Sequence, residues 1–164
     1  MTPTYRSMGD HTETIEIDFD PKAISYEELL EVFWSNHNPF GAPWSRQYMS
    51  IILVHDEAQK RAADKSRAKK ERARGSAVHT EIRPFKRFHM AEGYHQKYRL
   101  QNHPVLMREI RRVYPDGLEF VDSTAAARIN GFLGGHGGKS GLERQLRSLG
   151  LTQTGQKALF DVLN

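Results

Sequence analysis

The segment that decides the fold reads Thr4-Tyr5-Arg6-Ser7-Met8-Gly9-Asp10-His11-Thr12-Glu13 and continues into Thr14-Ile15-Glu16-Ile17-Asp18-Phe19. Its second half alternates apolar and polar residues, which is the period of a half-buried β-strand. The apolar side chains share one face with Glu13, because residues two apart in a strand point the same way. Burial there would favour the protonated form of the Glu13 carboxyl group and suit a proton donor. The position of Glu13 in the alternating pattern, taken alone, favours the alternative, in which Glu13 lies solvated at the frayed end of the strand.

Helical and strand patterns alternate downstream of this strand. Ser25 and Glu28 form a capping box that starts a helix predicted over 25–37. Apolar runs predict strands over 48–55 and 77–84, with a long helix capped by Asp56 between them. A further helix over 91–100 would place His95 and Tyr98 on one helical face. The pattern indicates an α/β fold with a mixed sheet packed with helices.

Five further sequence blocks accompany the opening segment. They are Ile24-Ser25-Tyr26-Glu27-Glu28-Leu29-Leu30, Phe33-Trp34-Ser35-Asn36-His37-Asn38-Pro39, Arg46-Gln47-Tyr48-Met49-Ser50, Thr80-Glu81-Ile82 and Ala91-Glu92-Gly93-Tyr94-His95-Gln96-Lys97-Tyr98. In this order, the blocks resemble the peptide methionine sulfoxide reductase A (MsrA) family over residues 3 to about 102. The resemblance implies a two-layer α/β sandwich. It implies a catalytic domain at residues 1–102, incomplete at its N-terminus, and a helical C-terminal extension at 103–164 packed on the same domain.

The resemblance also implies a reaction and a set of site residues. In the family a cysteine thiolate attacks the sulfoxide sulfur of an oxidised methionine, while a glutamic acid gives a proton to the sulfoxide oxygen. Matching motif positions imply that Glu13 is this proton donor and that Tyr5 and Tyr48 hold the oxygen. They also make His95 and Tyr98 candidates for the pocket wall. Thioredoxin or another thiol restores the cysteine in the family, and no bound cofactor is implied.

The chain departs from the family pattern at the nucleophile. The family carries Gly-Cys-Phe-Trp at the end of its first strand, whereas this sequence contains no cysteine. No acidic residue lies between His37 and Tyr48, where the family commonly has an aspartate. We therefore expect a proton donor and an oxygen-binding pair without a nucleophile, in a chain that is inactive as it stands.

Three functional hypotheses remain open. In the first, the sequence is part of a longer reductase of methionine-S-sulfoxide, and Met1 is not its true start. In the second, the chain is a pseudoenzyme without cysteine that binds oxidised methionine but does not reduce it. In the third, it is a nucleic-acid-binding module centred on residues 60–74, where eight Lys or Arg stand against two acids. Such a run is more typical of a solvated helix face, so nucleic acid ranks last.

The composition of the chain narrows the remaining classes of function. Hydrophobic residues make up 38% of the chain and charged residues 27%, with a net charge of +4, which is ordinary for a soluble domain. No run approaches the roughly 18 apolar residues of a membrane span. No secretory leader precedes the first motif, and a cytoplasmic location is the simplest expectation. The eight histidines show no metal-ligand spacing, so we expect no metal site.

Overall fold

The computed structural model describes residue 9 and residues 11–163. The predicted site residue Tyr5 lies outside these described residues. The chain divides into two compact units, one ending at His89 and the other beginning at Met90. The predicted division at residue 102, between a catalytic domain and a C-terminal extension, stays a prediction.

The first unit contains a small parallel sheet. Its elements are α1 (Tyr26–Ser35), β1 (Ile51–Val54), α2 (Glu57–Arg74) and β2 (Glu81–Pro84). β1 and β2 pair in parallel with Ile52 opposite Ile82, and α2 supplies the helical crossover that a parallel pair requires. The predicted α/β class is confirmed, with strands shorter than the apolar runs suggested.

Side-chain caps decide where both helices of this unit begin. The Ser25 hydroxyl accepts a hydrogen bond from the Glu28 amide at 3.2 Å, and the Glu28 carboxylate accepts one from the Ser25 amide at 2.8 Å. At the start of α2, the Asp56 carboxylate accepts a hydrogen bond from the Gln59 amide at 2.8 Å. These bonds satisfy amides that have no partner inside the helix, as the sequence predicted.

The core of the first unit lies where α1, α2 and the sheet meet. It consists of the buried residues Leu30, Trp34, Ile52, Val54 and Ala63. Trp34 is only 4% exposed, and its indole N–H donates a hydrogen bond to the Ser66 hydroxyl at 2.9 Å. Because a buried indole N–H needs an acceptor, this bond fixes how α1 packs against α2.

The strand predicted over residues 13–19 is wrong. Residues 11–20 form no strand, and the side chains of Ile15 and Ile17 are 84% and 53% exposed. A strand requires a neighbour that pairs with its amide and carbonyl groups. Within the described residues, the backbone of residues 11–19 reaches another segment only through the Glu13 amide, which donates to the Gln47 carbonyl at 2.9 Å. The alternating pattern identifies residues suited to a strand, but it does not supply the partner.

The second unit is helical. Its elements are α3 (Tyr98–Gln101), α4 (Pro104–Val113), α5 (Gly117–Asp122), α6 (Thr124–Leu133), α7 (Gly138–Gln145) and α8 (Gln153–Val162), with 3₁₀ turns at Gly93–His95 and Leu146–Leu149. Its core includes the fully buried side chains of Leu100, Leu106, Ile110, Ile129, Leu142, Leu149 and Leu159. Proline occupies the first turn of α4, and the Ser123 side chain caps α6.

The single helix predicted over 91–100 is also wrong. Lys97 adopts a left-handed conformation with φ 51°, which separates the 3₁₀ turn at Gly93–His95 from α3. The Gln101 side chain stabilises this break by donating a hydrogen bond to the Gly93 carbonyl at 2.6 Å. His95 and Tyr98 therefore do not share one helical face.

A buried carboxylate connects α4 to the start of α8. Glu109 is 7% exposed and accepts a hydrogen bond from the Thr152 amide at 3.0 Å. Hydrogen bonds from the Thr152 hydroxyl and amide hold the pKa of the Glu109 carboxyl below its ordinary value. Gly155 on α8 faces this group, and a Cβ atom at Gly155 would lie 3.0 Å from the Glu109 Cγ.

We expect Gly155→Ala to lower the free energy of unfolding by about 1–3 kcal/mol, because the added methyl group overpacks against Glu109. Gly131→Ala on α6 is the matched control, since no atom lies within 4 Å of a Cβ added there. That control should stabilise the chain by roughly 0.5–1 kcal/mol, because alanine loses less backbone entropy than glycine in a helix. Urea unfolding measures both changes, and stabilisation by Gly155→Ala would contradict the packing described here.

Candidate functional site

One amide side chain connects Glu13 and Tyr48, the two described candidates for proton donation and oxygen binding. The Gln47 Nε2 group donates a hydrogen bond to the Glu13 carboxylate at 2.7 Å and another to the Tyr48 hydroxyl at 3.2 Å. Because an amide nitrogen has two hydrogens, Gln47 can make both bonds at once. The structure thus brings two of the predicted site residues together, although they are far apart in sequence.

Backbone contacts hold these groups at their positions. The Glu13 amide donates to the Gln47 carbonyl at 2.9 Å, and the Thr12 hydroxyl donates to the Arg46 carbonyl at 3.0 Å. Residues 12–13 are thereby fixed beside residues 46–47 without a strand ladder. The Glu13 side chain is exposed, so the burial considered from the sequence is not observed. Its role as proton donor stays a prediction.

An exposed aromatic stack borders the site. The Trp44 and Tyr48 rings are stacked, with centroids 4.8 Å apart and an interplanar angle of 22°. Trp44 is 81% exposed and Tyr48 is 40% exposed. The exposed Trp44 ring therefore provides an apolar surface next to the polar Glu13–Gln47–Tyr48 group.

A shallow groove adjoins the Trp44 loop. Its volume is about 260 Å³, and its lining residues are Pro43, Ser45, Arg46, Met49 and Glu81. The Ser45 hydroxyl oxygen is buried and has no hydrogen-bond partner among the described residues. Glu81 pairs with Arg83, so its charge is compensated within β2. The groove is thus lined by two apolar residues, Pro43 and Met49, together with a serine and two charged residues.

A polar network holds the chain just after Tyr48. The His37 Nδ1 group lies 2.8 Å from the Phe33 carbonyl and, because a carbonyl only accepts, Nδ1 donates this bond. Nε2 of the neutral ring then accepts from the Ser50 hydroxyl at 2.8 Å. The buried Thr80 hydroxyl donates to Ser50 at 3.1 Å. These bonds connect the end of α1 to both strands and fix the residues preceding β1.

His95 and Tyr98 lie in the second unit. The His95 ring contacts the Tyr94 ring at a centroid distance of 4.2 Å, and Tyr98 is 63% exposed. Their assignment to a pocket wall stays a prediction, as does the role of Tyr5.

Two residues of the site were not singled out by the sequence. Gln47 lies inside the block Arg46-Gln47-Tyr48, but its bridging role depends on Glu13, which is 34 residues away. Trp44 was one aromatic in a loop rich in proline and glycine. Its position before a candidate site tyrosine was the only available signal.

The structure offers no metal centre among residues 9 and 11–163, since no three or more His, Asp or Glu side chains cluster there. No helix in the same residues is long and apolar enough to cross a membrane. The tyrosine, glutamate, glutamine and tryptophan side chains of the site can offer proton donation, hydrogen bonding and aromatic contact.

Comparison with known proteins decides the family. A family model described as peptide methionine sulfoxide reductase matches residues 1–125. The chain belongs to the peptide methionine sulfoxide reductase family. This membership confirms the resemblance drawn from the sequence blocks, and the absence of cysteine from the sequence agrees with the expected lack of the family nucleophile.

Individual members of the peptide methionine sulfoxide reductase family align with most of this chain but less of their own length. The reductase of Drosophila melanogaster is 45% identical over 155 residues, covering 93% of this chain and 61% of the relative. Reductase A5 of Oryza sativa subsp. japonica is 37% identical over 136 residues, covering 79% and 53%. MsrA of Methanosarcina acetivorans is 41% identical over 107 residues, covering 58% and 57%. The chain thus spans about half to three-fifths of the length of these reductases.

We expect Thr80→Val to lower the free energy of unfolding by about 1–3 kcal/mol, because it removes a buried hydrogen bond from the network that precedes β1. Valine keeps the shape of threonine, so the change isolates the hydroxyl group. Thr154→Val is the control, since Thr154 is exposed on α8. Chemical unfolding of both variants measures the difference, and equal stability of the two would show that the network contributes nothing.

Proposed function

We propose that this chain supplies the oxygen-binding and proton-donating side of a methionine sulfoxide reductase site and binds peptide-bound methionine-S-sulfoxide. The observation that carries the proposal is the Gln47 side chain, which hydrogen-bonds both Glu13 and Tyr48. Gln47 donates to the Tyr48 hydroxyl oxygen, and a tyrosine hydroxyl group can act as a donor as well as an acceptor. Donors that converge on one oxygen suit a sulfoxide, whose oxygen gains negative charge as the S–O bond breaks.

Reduction requires an electron pair that none of these side chains supplies. A thiolate sulfur attacks the sulfoxide sulfur, the S–O bond breaks, and the protonated oxygen is transferred to the thiol as a sulfenic acid. Methionine is thereby reduced and the thiol oxidised, and further thiols return the sulfenic acid to thiol with release of water. The sequence has no cysteine, so these 164 residues do not supply the attacking thiol.

The reductant and location belong to the same proposal. Thioredoxin or another dithiol is the proposed electron source for the reductase as a whole, in the cytoplasm. A nucleic-acid function has less support, because four of the eight basic residues at positions 60–74 already form ion pairs. Lys60 and Arg67 pair with Asp64, and Lys69 and Lys70 pair with Glu31.

The chain is expected to bind N-acetyl-methionine-S-sulfoxide methylamide without reducing it in the presence of dithiothreitol. Glu13→Ala and Tyr48→Phe should each weaken this binding by roughly three- to tenfold, because each removes one hydrogen bond to the ligand. Isothermal titration calorimetry measures the affinity, and chromatography of the ligand tests for reduction.

Glu16→Ala is the matched control for Glu13→Ala, since Glu16 is an exposed carboxylate three residues further along the same segment. It should bind as tightly as the wild type. Equal affinities of the wild type, Glu13→Ala and Tyr48→Phe would refute the assigned roles. No binding by the wild type would refute the proposed function of the isolated chain.

Restoring the nucleophile provides a second test. We expect sulfoxide reduction when the part of the Drosophila melanogaster reductase that precedes its match to this chain is fused in front of Met1, provided that this part carries the family motif Gly-Cys-Phe-Trp. Replacing its cysteine with serine should abolish the reaction, because a hydroxyl does not replace the thiolate. Glu13→Ala in the fusion should slow reduction by about 10²- to 10⁴-fold, as removal of a general acid does elsewhere. A folded fusion that reduces sulfoxide equally well with and without Glu13 would contradict its role as the acid.

A further inference from the structure

The exposed Trp44 ring is an apolar surface that adjoins the Glu13–Gln47–Tyr48 group. Its 81% exposure contrasts with the 4% exposure of Trp34, so the two tryptophans have different roles. Stacking on Tyr48 gives Trp44 a defined position although water surrounds most of the ring.

The loop on both sides of Trp44 is fixed by its neighbours. The Arg46 carbonyl accepts a hydrogen bond from the Thr12 hydroxyl at 3.0 Å and another from the Met49 amide at 3.4 Å. Pro43 precedes the tryptophan and restricts its own backbone φ angle. An aromatic ring held in this way loses little conformational entropy when a ligand covers it, which favours binding.

The dimensions of the stack indicate which part of a ligand reaches Trp44. A sulfoxide oxygen bound at the Tyr48 hydroxyl lies at the edge of the tyrosine ring, whereas Trp44 covers a face of that ring. The ring centroids are 4.8 Å apart. Trp44 therefore lies beside the tyrosine that is the candidate for oxygen binding, where a residue flanking the oxidised methionine can contact it.

The groove beside the Trp44 loop suits such a neighbouring residue. Pro43 and Ser45, the two residues that flank Trp44, both line it, and Met49 forms a buried apolar wall. The groove volume of about 260 Å³ exceeds that of a single aliphatic side chain. The Ser45 hydroxyl oxygen is buried and has no partner among the described residues, so the contacts that the groove offers are mainly those of its Pro43 and Met49 side chains.

We infer that Trp44 is a specificity-determining residue that contacts an apolar side chain adjoining the oxidised methionine in a peptide ligand. The inference rests on the proposed function, because it assumes that the sulfoxide oxygen binds at Glu13 and Tyr48. Trp44 selects the sequence context of the sulfoxide, and Glu13 and Tyr48 bind the sulfoxide itself.

Two capped peptides test this role: acetyl-Leu-Met(S-oxide)-Leu-amide and acetyl-Gly-Met(S-oxide)-Gly-amide. The wild type should bind the leucine peptide roughly three- to tenfold more tightly, which is the gain expected from one aromatic contact. Trp44→Ala should lose this preference, because it weakens binding of the leucine peptide more than binding of the glycine peptide. Trp44→Phe, which keeps an aromatic ring, should retain most of the preference. Calorimetry gives the affinities, and thermal unfolding verifies that the exposed substitutions leave the fold intact.

The outcomes separate this inference from the proposed function. If the wild type binds both peptides equally, or if Trp44→Ala keeps the leucine preference, the role of Trp44 is overturned while the proposed function stands. If Trp44→Ala weakens both peptides equally, Trp44 only positions Tyr48, and its contact with the neighbouring residue is likewise overturned. If the wild type binds neither peptide, the proposed function fails and the inference fails with it.

Discussion

The hydrogen bond from the Glu13 amide to the Gln47 carbonyl is the constraint on which the candidate site depends. It joins residues that lie 34 positions apart, and together with the Thr12–Arg46 bond it fixes an otherwise exposed segment beside the approach to β1. With this backbone contact in place, the Gln47 amide reaches both the Glu13 carboxylate and the Tyr48 hydroxyl. A contact between distant segments therefore brings together the two candidates for proton donation and oxygen binding.

The segment that carries Gln47 and Tyr48, on the other side of this contact, is held more firmly. His37, Ser50 and Thr80 connect the end of α1 to both strands through buried or partly buried hydrogen bonds. Bonds of this kind resist water better than the exposed bonds of Glu13 do. The site thus combines a rigid half, which carries Gln47 and Tyr48, with a half that depends on a few solvent-exposed contacts. A ligand that covers Glu13 would strengthen these contacts by excluding water from them.

The absence of cysteine limits the chemistry that this arrangement can perform. Hydrogen-bond donors and a carboxyl group can bind and polarise a sulfoxide, but they cannot provide the electron pair that its reduction consumes. The chain spans about half to three-fifths of the length of its reductase relatives. Its described residues include Glu13 and Tyr48, the candidates for proton donation and oxygen binding, whereas the sequence offers no candidate for the electron supply.

Local sequence patterns determined the helix starts, because a cap depends on residues three or four apart. Ser25 with Glu28, and Asp56, begin helices where their chemistry predicted. The strand over 13–19 failed because pairing depends on a distant partner that alternation cannot reveal. The helix over 91–100 failed because the left-handed Lys97 and the hydrogen bond from the Gln101 side chain to the Gly93 carbonyl stabilise a break. By itself the sequence determined the family blocks, the candidate acid and tyrosines, and the lack of a thiol. Only the tertiary structure decided that Gln47 joins Glu13 to Tyr48 and that Trp44 stacks beside them, since these contacts depend on distances between segments that are far apart or irregular in the chain.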